Sequence, residues 1–241
     1  MIAFHIERGG YVARADSTER RLMRGLASDV GTMLGISITD IIEKRRESAE
    51  ADDLLALYES ELTELEGLEA QLREEIGEGG SANPDSSEWS IGSERDREAA
   101  IPMDEAIARL LPDMSEDPEL ARSLRAKTQD SLAAEKAENL ATFFDSLDND
   151  NDVVWVENER ATAWLAAVND IRIVLSSRLD IVDEASSEAV YTRASYLTGE
   201  EAAAEGREIE DEDDLLAVLY AMLTWWQESL LIAVGIKARR R

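Results

Sequence analysis

An irregular helical bundle, mainly α with a small β-hairpin or three-strand element, is the fold class this sequence predicts. Three observations predict it. Apolar residues recur at three- and four-residue steps through several long stretches. Short alternating runs surround Gly9-Gly10 and form "VVWVE" at 153–157. Hydrophobic residues make up 44% of 241, enough for a real core.

The elements follow in order. "AFHIERGGYVAR" (3–14) alternates around two glycines, which supply the positive φ of a tight hairpin turn. In "DSTERRLMRGLASDVGTML", Asp16 and Glu19 have capping-box spacing, and Leu22, Met23, Leu26, Val30, Met33 and Leu34 form a helical stripe. Residues 39–76 read as one long acidic helix, roughly 55 Å at 1.5 Å per residue. Its apolar stripe, Leu55, Tyr58, Leu62, Leu65, Leu72 and Ile76, suits a projecting arm or a homodimer. Residues 77–99 are a flexible linker rich in Gly, Ser, Asn and Pro, with Trp89 expected to dock on the body.

A short helix enters at Pro102 and stops at Pro112. Asp117-Pro118 opens another that runs to about 147, since Pro is well tolerated at a first helical position. Its apolar face is Leu120, Leu124, Leu132, Leu140, Phe143, Phe144 and Leu147. The run at 153–157 should pair with the hairpin, and Asn158 should cap the following helix. A flexible acidic loop is expected over 182–214, holding a short docked helix around Tyr191, Tyr196 and Leu197. The last helix, 215–236, is apolar nearly all round, which suits the centre of a bundle. The organisation expected is a single domain over 1–241. Its core helices are 17–35, 103–147, 158–180 and 214–236, with the arm, linker and acidic loop as appendages.

Charge and composition narrow the function. The net charge of -28 repels nucleic-acid phosphates, so no direct nucleic-acid contact is expected. Without cysteine there is no disulfide, thiol nucleophile or thiolate metal site. No secretory signal pattern opens the chain, and a cytoplasmic location is expected. The last helix is long enough to span a bilayer, but Gln227, Glu228 and Ser229 lie near its middle, so no membrane span is expected. His5 is the sole histidine, and no HExxH, Walker A loop or GxGxxG is present. The expectation is therefore no catalytic set, no metal site, no cofactor and no enzyme activity.

The stretch "WLAAVNDIRIVLSSRLDI" (164–181) raises a sharper question. At 100° per residue, Trp164, Val168, Ile171, Leu175 and Leu179 share one arc. Arg172 falls inside that arc, Arg178 near its edge, and Asn169 and Asp170 on its flanks. A buried arginine needs pairing, so a carboxylate from Glu228, Asp130 or Glu135 is expected at Arg172. With Gln227 and Glu228 of the last helix, these residues form either a register-setting polar network or a pocket for a small acidic ligand. The network is the favoured reading.

Longer runs carry a resemblance. "ARLLPDMSEDPELARSLRAKTQDSLAAEKAENL" (108–140), "AWLAAVNDIRIVLSSRLDI" (163–181), "WWQESLLIAV" and "GYVARADSTERRLMRGLASDV" resemble an actinobacterial family, domain-of-unknown-function family 2017. Arg109, Leu110, Pro112, Trp164, Asn169, Asp170, Arg172, Arg178, Gln227 and Glu228 match its typical positions. The resemblance implies no assigned catalytic residues. It implies a gene neighbour, the adaptor ClpS, and hence a protein partner in the Clp machinery. Some relatives carry a label of transcriptional regulator. The function expected is a non-enzymatic interaction or regulatory protein linked to Clp/ClpS proteolysis. A transcription-associated regulator and a small acidic-ligand sensor are the alternatives.

Overall fold

The structure is a computed structural model and describes residues 1–75, 104–148 and 151–240. The elements are β1 (Ile2–Glu7), β2 (Gly10–Arg14), α1 (Ser17–Met33), α2 (Ile38–Glu75), α3 (Glu105–Leu110), α4 (Pro118–Ser146), β3 (Val153–Glu157), α5 (Ala161–Arg178), α6 (Glu184–Thr198), α7 (Glu200–Glu205) and α8 (Glu212–Arg239). The fold is mainly α with a small antiparallel sheet, as the periodicities imply. The described chain divides into two compact units, Met1–Ile41 with Glu98–Arg241, and Ile42–Arg97. The expected linker over 77–99, Trp89 and the Pro102 helix entry lie outside the described residues.

In the first unit the sheet runs β1-β2-β3, all antiparallel. The two hairpin glycines divide their work. Gly9 carries the positive φ, 95°, that the turn needs. Gly10 is required for space: a Cβ there would lie 2.4 Å from the Val156 carbonyl oxygen and 2.8 Å from the Trp155 ring. The expectation of positive φ at both glycines is thus corrected at Gly10, where close strand approach is the reason.

α1 opens with the expected capping box: Asp16 accepts from the backbone of Thr18 and Glu19, and Glu19 accepts from the backbone of Asp16. α4 begins with Pro118 in its first turn and Asp117 as cap. Its buried face is made chiefly of small residues, Ala133, Ala137 and Ala141 with Leu140 and Phe143. Leu120, expected in that face, is exposed. Asn158 does not cap α5. The cap position is Arg160, without a side-chain cap bond, because the chain makes a turn between β3 and the first helical residue.

α5 is the centre of this unit. It packs against α1, α3, α4, α8 and β3, and Trp164, Ala167, Val168 and Ile171 are fully shielded from solvent. The expectation that α8 fills the centre is therefore corrected. α8 buries Leu223, Trp226 and Leu230, while Trp225, Leu231, Ile232 and Ile236 face solvent. It is long and apolar enough to cross a bilayer by length and composition, and 44% of its most apolar window is buried.

The flexible loop expected over 182–214 is also corrected. α6 and α7 occupy much of it, and α6 packs on α8. Val190 and Ala194 are buried, and Tyr191 meets Tyr220 with ring centroids 5.8 Å apart. Arg193 donates to Asp214 at 2.5 Å and to Asp211 at 2.8 Å, tying α6 to the first turn of α8. The hydrogen bond from Arg193 holds the Asp214 carboxyl below its ordinary range. Acidic residues that read as solvated are thus spent on one arginine.

The second unit holds the greater part of α2, which bears out one continuous helix over the expected arm. Leu54 and Leu55 on it are exposed. The side chains of the stripe beyond residue 56 lie outside the described residues.

Candidate functional site

The polar residues set into α5 divide among different neighbours. Arg172 faces α8. Its Nε donates to Thr224 Oγ1 at 2.9 Å, one terminal nitrogen donates to Gln227 Oε1 at 2.6 Å, and the other reaches Tyr220 Oη at 3.5 Å. The guanidinium also lies 5.3 Å from the centroid of the Tyr220 ring. Tyr220, Thr224 and Gln227 are spaced by four and then three residues, so one stripe of α8 presents all three acceptors.

No carboxylate takes part in these bonds, which corrects the pairing expected for Arg172. Glu228, Asp130 and Glu135 are exposed. The physical reason is burial: Arg172 is only partly buried, so its charge keeps some solvation and neutral oxygens satisfy its donors.

Gln227 completes the strap. Its amide nitrogen donates to the Leu165 carbonyl at 3.1 Å while its oxygen accepts from Arg172. Leu165 and Arg172 are two turns apart on α5. One side chain of α8 therefore touches α5 at two heights, which fixes the axial register of the pair. Gln227 is 8% exposed, so its loss leaves buried groups without partners. Gln227→Leu is expected to cost about 1–3 kcal/mol, read as a lowered urea midpoint with unchanged m-value.

Asp170 points to α4. It is 3% exposed and accepts from Lys136 Nζ at 2.7 Å. Burial raises its pKa, and the hydrogen bond and charge of Lys136 oppose that rise. Arg178 points elsewhere again, donating to Asp104 at 2.7 Å. Asp104 is also the cap of α3, accepting from the Ala106 backbone at 2.8 Å. The Arg178 hydrogen bond holds the Asp104 carboxyl below its ordinary range. Arg109 adds a second tie, donating to the Ile181 carbonyl at 3.2 Å.

Of the six residues singled out from sequence, the structure brings Arg172 and Gln227 together. Asp170 and Arg178 each bind a different helix, and Asn169 and Glu228 are exposed. A shared pocket lined by Arg172 and Arg178 is not formed, since Arg172 binds α8 and Arg178 binds the start of α3. The partners missed were Tyr220, Thr224, Lys136 and Asp104. The spacing of Tyr220, Thr224 and Gln227 was the one signal available, and it marked a polar stripe on α8 opposite a helix that needed one. Among the described residues no group of three His, Asp or Glu side chains is placed to hold a metal ion. The arrangement is a set of helix-to-helix ties, and the surface it orients is the outward face of α8.

That face follows from the helical step. Taking Trp225 as origin, Ile236 and Ile232 lie within about 20° of it, and Glu228 lies about 60° away. Trp225 is 45% exposed, Ile232 63% and Leu231 52%. β1 runs beside this band: Trp226 Nε1 donates to the Ile2 carbonyl at 3.2 Å, and the Phe4 N–H donates to Ser229 Oγ at 3.2 Å. Ile2 extends the apolar surface, at 57% exposed.

Residues 1–234 match the model of a family described as a domain of unknown function, DUF2017. No curated protein and no solved structure matches the chain.

Proposed function

This chain belongs to the DUF2017 family, and we propose that it is a non-enzymatic interaction protein that seats a protein partner on the outward face of α8. The observation that carries this reading is the exposed band of Trp225, Ile232 and Ile236, with Ile2 beside it. Exposed apolar surface rimmed by polar groups marks interaction sites, and tryptophan is a frequent anchor in them. The band sits on a helix whose other faces are tied down by Arg172, Gln227 and the aromatic core, so little ordering is left to oppose binding.

A protein partner suits the band better than a bilayer. Glu228 lies at its edge, and a net charge of -28 is repelled by anionic lipid headgroups. The same charge favours a partner with a basic rim, whose approach it would accelerate. The Clp machinery, or its ClpS adaptor, is the partner proposed, and the support for it is the family resemblance.

The test is affinity purification of the tagged chain from its native host, beside a Trp225→Asp, Ile232→Asp variant. Both positions are exposed, so the variant should keep its fold, checked by circular dichroism. A Clp component retained by the natural chain and lost in the variant is the expected result. Retention by both would move the interface off α8, and retention by neither would remove the Clp partnership. Flotation of the natural chain with lipid vesicles would replace the protein partner with a membrane surface.

A further inference from the structure

A groove between α1 and α4 stands apart from the α8 face and from every tie described above. Its volume is about 420 Å³, within the range of small-molecule sites. Arg20, Arg21 and Arg24 line it from α1, with Ser28, and Phe144 closes it from α4. Three arginines at one concave surface are unexpected on a chain with 53 acidic residues against 25 basic ones.

Their side chains are not loose surface charges. Arg20 is 7% exposed. Arg24 is held on two sides, by Asp148 at 2.8 Å and by the Phe144 ring, with its guanidinium 4.2 Å from the ring centroid. Yet Arg24 Nε is buried and has no hydrogen-bond partner. That nitrogen is closed to solvent, and a ligand in the groove meets the remainder of the Arg24 side chain, which is 31% exposed. Arg21 is exposed at the mouth. Next to it, Gly25 leaves open space, since a Cβ placed there would meet no atom within 4 Å.

We propose that this groove binds a small phosphorylated molecule, with Arg20, Arg21 and Arg24 gripping the phosphate and an organic body lying past Gly25. A phosphate offers three acceptor oxygens to converging guanidinium forks, which are shaped for it. Arg24 is already oriented, so little rotamer entropy opposes its contribution. The ligand is small because the rest of the surface is acidic. A polyanion such as a nucleic acid meets that repulsion along its whole length, whereas a single phosphate group feels mainly charges within a Debye length, about 8–10 Å.

The experiment uses the full chain and pyrophosphate as probe, by isothermal titration calorimetry at fixed ionic strength. Citrate and potassium chloride serve as comparison solutes. Saturable binding of pyrophosphate is expected. Arg21→Ala should weaken it about tenfold, the loss of one charge-assisted contact. Gly25→Leu keeps every charge, fills the groove and raises helix propensity, and it should abolish binding while the protein stays folded. Arg14→Ala, on β2 and outside the groove, should leave binding unchanged. Absence of saturable pyrophosphate binding overturns the proposal. Equal loss in Arg14→Ala overturns the site, and equal affinity for citrate overturns the phosphate class.

Discussion

Trp164→Ala is expected to destabilise this protein by about 3–5 kcal/mol, more than any other single truncation of its core. Trp164 is fully buried and is the hub of four aromatic rings. Phe143 lies at 5.0 Å, Phe4 at 5.1 Å and Trp226 at 5.2 Å between centroids, and the contacts with Phe4 and Trp226 are edge-to-face. Each such pair adds about 0.5–1.5 kcal/mol beyond burial. The cluster joins α4, α5, α8 and β1, so a cavity there loosens four elements together. The indole also donates to Ser146 Oγ at 3.2 Å, a hydrogen bond the variant loses. Urea unfolding followed by circular dichroism measures the loss. A domain of ordinary stability, about 5–15 kcal/mol, would keep a folded but markedly weakened state. A loss below about 1 kcal/mol would show that α5 is not the central helix.

The second large effect is expected at Lys136. Lys136→Met keeps the aliphatic stem but strands Asp170, whose side chain is 4% exposed. Removing one partner of a buried pair costs about 3–5 kcal/mol. The lower end applies here, because the Lys136 side chain is 24% exposed. The cost should depend on pH, and its sign follows from the direction of the Asp170 shift. Burial raises that carboxyl in the folded state, and Lys136 opposes the rise. A raised folded pKa contributes stability that is present below the unfolded value and is lost as pH rises through the folded value. Without Lys136 the folded value climbs further. The variant should therefore differ most from the natural protein at high pH, where Asp170 is ionised, and approach it as falling pH protonates that carboxyl. Asp170→Asn in the Lys136→Met background should recover most of the loss at the higher pH. A cost independent of pH would assign Lys136 a packing role alone.

Local patterns carried much of the fold into view. The capping box at Asp16 and Glu19, the Pro118 helix start, the strand character of 153–157 and the continuous helix α2 all depend on neighbours within a few residues. Periods of two and of three to four residues express that dependence directly. The family was legible for a related reason, since the runs around Pro112, Trp164 and Gln227 are each unbroken in the sequence.

The sequence by itself determined most of the long helices, the starts of α1 and α4, and that polar residues are set into α5. Only the tertiary structure decided what those residues touch. Arg172 needed acceptors on either count, but carboxylate or neutral oxygen depended on how much water reaches it, and that is set by the packing of α8. Asp170 and Lys136 are 34 residues apart, and Arg178 and Asp104 are 74 apart, so no periodicity links them. α8 reads as apolar on all sides, yet only some of those sides could be covered, because α5 already occupies the centre. Helical pattern records the free energy of a segment against an unspecified apolar surface. Which surface, and which face is left over, is settled when separate segments compete for one core.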